Sequence, residues 1–272
     1  MAFKSLSDVS RRDLLQNNGF NLAEARAETA YGASFLEWFA SEAERTYGQV
    51  VPAANTGQRI LTVQQPLGVA ALLAPWNFPI AMITRKAGVA LAAGCETLLS
   101  CIAQAVLRQE ARFPQGSINI VLTLVRVAEV GEAFCKSQQI QKISFTGSSR
   151  VGKLLAQQCG QTLKKLSPEL DGNSPFIVFD DADLDRAVKT LMLAKFHISG
   201  QTCVTANRVF VQKGIYDKFS LKVKDRTQQL KVGPGIQAGV NVGPLTHQGG
   251  TQKALAHIQG LGHFSSERVA MC

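Results

Sequence analysis

Residues 142–152 read Lys142-Ile143-Ser144-Phe145-Thr146-Gly147-Ser148-Ser149-Arg150-Val151-Gly152. The apolar residues of 142–145 predict a strand, and the pattern over 151–158 predicts a helix directly after it. Between them, Gly147 to Gly152 forms a G-x-x-x-x-G turn. Glycine permits close backbone approach, and the free amides of a helix N-terminus attract phosphate. An ordinary strand-to-helix turn carries the same pattern, so these residues alone leave both readings open.

Outward from this junction the chain keeps alternating. Strand-like runs occupy residues 58–65, 68–74, 117–122, 176–179 and 208–211, and helical patterns occupy 21–48, 126–136, 184–197 and 216–230. Pro75-Trp76-Asn77-Phe78-Pro79 turns the chain into a further helix that Gly94 stops near residue 93. Buried strands alternating with helices predict a parallel sheet covered on both faces, the usual home of nucleotide sites. One stretch breaks the pattern. Residues 96–102 read as a strand yet run straight into a helical 103–112 with no glycine, proline or asparagine to turn the chain. From Gln248 onward the sequence shows no clear period, and no regular structure is assigned there. Glu169, within Ser167-Pro168-Glu169-Leu170-Asp171-Gly172, reads on its own as a solvated loop or strand-end carboxylate.

Composition excludes several classes. A chain of 272 residues suffices for a large core and about two domains. No apolar run reaches membrane-spanning length, so no membrane partner is expected. The first twenty residues mix Lys4, Arg11 and Arg12 with Asp8 and Asp13 and carry no apolar core. That is no clear targeting signal, and a cytoplasmic or mitochondrial setting is expected. Six cysteines without paired spacing read as thiols of a reducing compartment, and four histidines unpatterned with them predict no metal site. The net charge of +9 is spread along the chain without a nucleic-acid motif, so it reads as a solvated basic surface and not as a nucleic-acid partner.

A second stretch carries chemistry. Ser199-Gly200-Gln201-Thr202-Cys203-Val204-Thr205-Ala206-Asn207 delivers one cysteine into a small, polar turn between a helix and a strand. Partial exposure near backbone amides lowers a thiol pKa and makes a nucleophile, whereas a cysteine filling a core gap is inert.

Four pieces, Pro75-Trp76-Asn77-Phe78, Ser144-Phe145-Thr146-Gly147-Ser148, Glu169-Leu170 and Gly200-Gln201-Thr202-Cys203, in this order and spacing, resemble the aldehyde dehydrogenase superfamily. The flanks Ala81-Met82-Ile83-Thr84-Arg85-Lys86 and Tyr31-Gly32-Ala33-Ser34-Phe35-Leu36 are most similar to its succinic semialdehyde branch. The resemblance runs over about residues 22–247 and covers the middle half of a family member. It implies an α/β fold. A Rossmann-like parallel-sheet cofactor domain over 1–171, shortened near 97–102, would precede the first part of an α/β catalytic domain over 172–272.

The resemblance also implies roles. Cys203 is the nucleophile that adds to the aldehyde carbon. Asn77 and the Cys203 backbone amide hold the oxyanion, and Glu169 is the general base. Trp76, Gly147, Ser148, Gly152 and Leu170 line the cofactor, which is NAD or NADP. Arg85 meets the carboxylate of a semialdehyde, for which a guanidinium fork is suited. His197 stands where a second carboxylate-binding arginine is expected. A small aldehyde is the implied partner, and family members form homo-oligomers through late strands outside this chain.

Departures accompany the match. The lysine-bearing turn that grips the adenosine ribose is missing after Thr97, where the break in the pattern falls. Asp171 replaces a glycine and sets a like charge beside the base, and Thr205 replaces a frequent cysteine. A distal glutamate segment for the nicotinamide ribose also lies outside the chain. Two further readings therefore stay open: a remnant or splice form with impaired cofactor binding, and a cofactor-free thiol esterase built on Cys203, Glu169 and Asn77.

Overall fold

The computed structural model describes residues 19–99, 112–123 and 125–261. They form two compact units, residues 28–170 and residues 19–27 with 171–261. The elements in chain order are α1 (Leu22–Glu42), β1 (Gln49–Val51), β2 (Ile60–Thr62), β3 (Val69–Leu73), α2 (Ala81–Ala92), β4 (Glu96–Leu99) and β5 (Ile118–Ile120). There follow α3 (Val127–Lys136), β6 (Ile140–Gly147), α4 (Ser149–Gly160), β7 (Lys165–Leu170), β8 (Ser174–Val178), α5 (Leu184–Phe196), β9 (Ala206–Val211), α6 (Tyr216–Gln228) and α7 (Gln248–Leu261). Among the described residues no helix is long and apolar enough to cross a membrane.

The first unit is organised by a five-stranded sheet of order β5-β4-β3-β6-β7, parallel at every pairing. Its central strand β3 is apolar on both sides, as a strand covered twice must be. Ala70 and Leu72 pack with Ile83 and Ala87 of α2, while Ala71 packs with Cys135 of α3 and Leu155 of α4. Alternate residues of one strand thus feed two cores, and helices cover both faces. Gly94 stops α2 in the left-handed region at φ 72°, and the Cys95 amide reaches back to the Ala90 carbonyl, the hydrogen-bond pattern of a glycine-terminated helix.

Among the elements absent from the sequence expectation are β1, β7 and α7. Residues 165–170 form the edge strand β7, paired with 142–147 of β6, although they lack an apolar alternation. Pro168 has no amide to donate, which an edge position tolerates, and the neighbouring strand supplies the order that the local sequence does not. Residues 248–261 form a helix whose Gly249 and Gly250 mask its period in sequence. The strand after Gly94-Cys95 is present as β4, and the helix expected over 103–112 falls almost wholly outside the described residues.

In the second unit β8 pairs parallel with β9, and α5 and α6 cover them through Val178, Val188, Leu191, Ala206 and Phe219. Asp183 starts α5 by accepting the Asp185 and Arg186 amides.

Candidate active site

Four junctions hold the residues singled out in sequence, three in the first unit and one in the second. The first is the 74–80 turn between β3 and α2, which carries exposed Trp76 and half-buried Asn77. Its exit is held by a side chain from another helix: buried Glu28 of α1 accepts the Ile80 amide at 2.8 Å and the Ala81 amide at 3.0 Å through one carboxylate oxygen. A negative group at the positive end of α2 is favourable, and Ile80 supplies no side-chain cap of its own.

One turn into α2 stand Arg85 and Lys86. The Arg85 guanidinium donates to the Tyr31 hydroxyl at 2.8 Å and lies over the Phe35 ring, 5.0 Å from its centroid. Lys86 is buried and donates to the Ser144 hydroxyl at 2.9 Å. Burial, then the neighbouring Arg85 charge, pulls its pKa from 10.5 down to about 8, while the Glu169 carboxylate acts in the opposite direction.

At the second junction β6 ends in Thr146 and Gly147, and Ser148 caps α4 by accepting the Val151 amide. Gly152 seats this helix against the sheet. A Cβ there would stand 2.4 Å from Leu170 Cδ2, so only hydrogen permits the approach. Thr146 pairs in register with Glu169 and Gly147 with Leu170, which brings the third junction, the end of β7, beside the start of α4. Thr146 Oγ1 is buried with no hydrogen-bond partner among the described residues. Glu169 itself is solvent-exposed.

The fourth junction, in the second unit, links α5 to β9. His197 to Gly200 form a tight turn in which Ile198, Ser199 and Gly200 are all left-handed, at φ 50°, 55° and 74°. Two non-glycine residues there, one of them β-branched, hold strain of about 1–3 kcal/mol each. Beyond the turn, the Thr202 and Thr205 hydroxyls share a hydrogen bond and Thr205 Oγ1 donates to the Gly200 carbonyl at 3.2 Å. The loop around Cys203 is therefore closed upon itself. Cys203 is partly exposed, whereas Cys95, Cys135 and Cys159 are buried. Cys135 and Cys159 lie with sulfurs 3.7 Å apart, and the Cys135 thiol is pushed up to about 12 by burial and then by its hydrogen bond to Cys159.

Within the first unit the structure gathers Gly147, Ser148, Gly152, Glu169 and Leu170 at neighbouring strand and helix ends, and places Trp76, Asn77 and Arg85 on the turn and helix after β3. His197 and Cys203 belong to the second unit. Sequence reasoning missed Lys86, Glu28 and Glu24. A lysine next to Arg85 in a helix whose remaining residues, Thr84 aside, are apolar or glycine was a legible signal for the first. Asn21-x-x-Glu24 was one for the last.

The sheet order and these junctions define a parallel α/β architecture followed by a thiol-bearing loop. The sequence pattern of the aldehyde dehydrogenase family matches residues 10–262, and the chain belongs to that family. It is 45% identical over 259 residues to the succinate-semialdehyde dehydrogenase [NADP(+)] GabD of Escherichia coli, spanning 92% of this chain and 53% of the relative. It is 49% identical over 249 residues to the mitochondrial succinate-semialdehyde dehydrogenase of Arabidopsis thaliana, spanning 89% and 47%. Among solved structures it is similar to an E. coli NADP-dependent enzyme, at 43% identity and a TM-score of 0.90, covering 95% of this chain and 56% of that one. A succinate-semialdehyde dehydrogenase from Burkholderia pseudomallei gives a TM-score of 0.88 at 41% identity, covering 95% and 55%. The chain thus spans about half the length of the curated relatives it matches.

Proposed function

We propose that the chain carries the cofactor-binding region and the nucleophile of an enzyme that oxidises an aldehyde with an anionic tail to its acid, using NAD or NADP. The observation that carries this reading is the partly exposed Cys203 on a self-bonded loop, when Cys95, Cys135 and Cys159 are all buried. Relatives named for succinate semialdehyde, glutarate semialdehyde and 3-sulfolactaldehyde share an acidic tail on the aldehyde, and those named for NADP(+) support the cofactor class.

In this reading Glu169 serves as the base that takes the proton of the Cys203 thiol, and the thiolate so formed adds to the aldehyde carbon. Asn77, with the Cys203 amide, stabilises the oxyanion; one such donor is worth about 3–4 kcal/mol. Arg85, already oriented by Tyr31 and Phe35, pairs with the substrate's acidic tail. Residues at the α4 N-terminus fit a phosphate-bearing dinucleotide. Gly152 leaves the helix start close against the β7 end, and the buried Thr146 hydroxyl adjoins it without a partner among the described residues. Ser148, Gly152, Leu170 and Trp76 would hold that group, which when bound accepts a hydride from the substrate carbon. Glu169 then activates the water that releases the acid from Cys203.

The test is direct. Purified protein is given succinic semialdehyde with NADP or NAD, and reduced nicotinamide is followed by absorbance. Turnover abolished by Cys203→Ser is expected, and undiminished turnover in that variant refutes the assignment.

A further inference from the structure

Ile198 is an unfavourable residue for the conformation it holds. It is wholly buried, β-branched and left-handed, and Ser199 beside it is left-handed too. Such backbone persists only where its surroundings over-determine it. Cys203 lies five residues further on, so whatever maintains this turn also sets where the thiol loop begins.

The surroundings are specific. Glu24 Oε1 accepts the Ile198 amide at 2.8 Å and lies 3.1 Å from His197 Nδ1. Its other oxygen accepts the Asn21 amide at 3.0 Å, and Asn21 Oδ1 accepts the Glu24 amide at 3.0 Å, a reciprocal cap at the start of α1. Both carboxylate oxygens are thereby committed, and the side chain is only 12% exposed. Ser199 Oγ faces the Gly243 carbonyl at 2.9 Å and the Gly19 carbonyl at 3.2 Å. Asn21 and Glu24 thus form one rigid bracket, with the strained turn hung from its free face.

We propose that Glu24 is a positioning residue for Cys203: its carboxylate holds His197 and Ile198 in the left-handed turn that presents the thiol. The proposal rests on Cys203 being the reactive cysteine. His197, held by Glu24, serves the turn as well. Without the carboxylate, Ile198 relaxes toward an ordinary backbone conformation and the loop from Gly200 to Cys203 shifts with it.

Alkylation by iodoacetamide with mass mapping of each thiol tests this on the full chain, without need of turnover. Glu24→Ala should slow Cys203 modification by about tenfold or more, the scale expected of a misplaced reacting group, while the buried thiols stay protected. Glu24→Gln keeps one acceptor oxygen for the Ile198 amide and should fall between, and it carries the test should Glu24→Ala fail to fold. Asn21→Ala removes the side-chain half of the reciprocal cap and the Asn21 Nδ2 bond to the Asn241 carbonyl while leaving the Glu24 carboxylate in place. It should leave the Cys203 rate within about twofold, because the turn keeps its acceptor. The decisive arm is Ile198→Gly. Glycine adopts the left-handed region freely, so in that background Glu24→Ala should cost Cys203 little. A merely helix-capping Glu24 predicts no such rescue, and its absence, or an unchanged Cys203 rate in Glu24→Ala, overturns the proposal. Cys203 failing to be the fastest thiol in the unmodified protein overturns instead the nucleophile assignment on which it depends.

Discussion

Lys86 Nζ donates to Ser144 Oγ at 2.9 Å, joining α2 to the neighbouring strand β6 through a lysine that is 6% exposed. The ammonium is costly there. Its pKa falls to about 8 in the folded chain from 10.5, chiefly by burial and then by the Arg85 charge. Between those values the unfolded chain binds more protons, so stability rises with pH from about 8 to 10.5. Below pH 8 the full cost stands, about 3 kcal/mol at ~1.4 kcal/mol per pH unit. Lys86→Met should therefore raise stability at pH 7, less about 1 kcal/mol for the lost bond to Ser144. That gain should fade as pH approaches 10. Urea denaturation of both proteins across this range measures it, and a gain independent of pH refutes the titration.

Thiol reactivity offers a second measurement. Cys203 is partly exposed on a polar loop, while Cys95, Cys135 and Cys159 are buried and the Cys135 thiol titrates only near 12. Brief iodoacetamide treatment at neutral pH should modify Cys203 before any of those three. Denaturant should then abolish the difference.

Gly152 is expected to refuse a side chain. Alanine would set a Cβ 2.4 Å from the Leu170 methyl, displacing either the side chain or α4. Overpacking of this kind costs about 1–3 kcal/mol, partly offset by the ~1 kcal/mol helix preference of alanine over glycine. Thermal melting of Gly152→Ala should show a net loss. Leu170→Val in the same protein, which withdraws a methyl group from the contact, should recover part of it.

Arg85→Ala separates packing from recognition. Removing the guanidinium costs stability through the lost contacts with Phe35 and Tyr31. In the proposed function it should also raise KM for succinic semialdehyde about tenfold with kcat little changed, because an interaction present in both ground and transition states is lost. Butanal, lacking the carboxylate, should be turned over equally by both proteins. Tyr31→Phe keeps the stacking and removes one hydrogen bond, and should give a smaller effect of the same kind.

How much of this was legible beforehand follows from distance along the chain. The strand into Gly147, the helix that follows it, the stop at Gly94 and the polar turn that carries Cys203 depend on dihedral preferences and periodicity of adjacent residues. Those local rules act before any tertiary contact forms, so the alternating α/β order could be read from residues alone, whereas the nucleophile role of Cys203 came from the family resemblance. Strand β7 could not, because Lys165–Leu170 gains its order from the pairing with β6. Nor could the environment of Lys86, whose hydroxyl partner lies 58 residues away, or the strained turn at Ile198, held by a carboxylate 174 residues earlier. Side-chain chemistry is written in the sequence. Burial, which sets a lysine's pKa, and a distant carboxylate, which sustains an unfavourable φ, exist only once packing has brought the segments together.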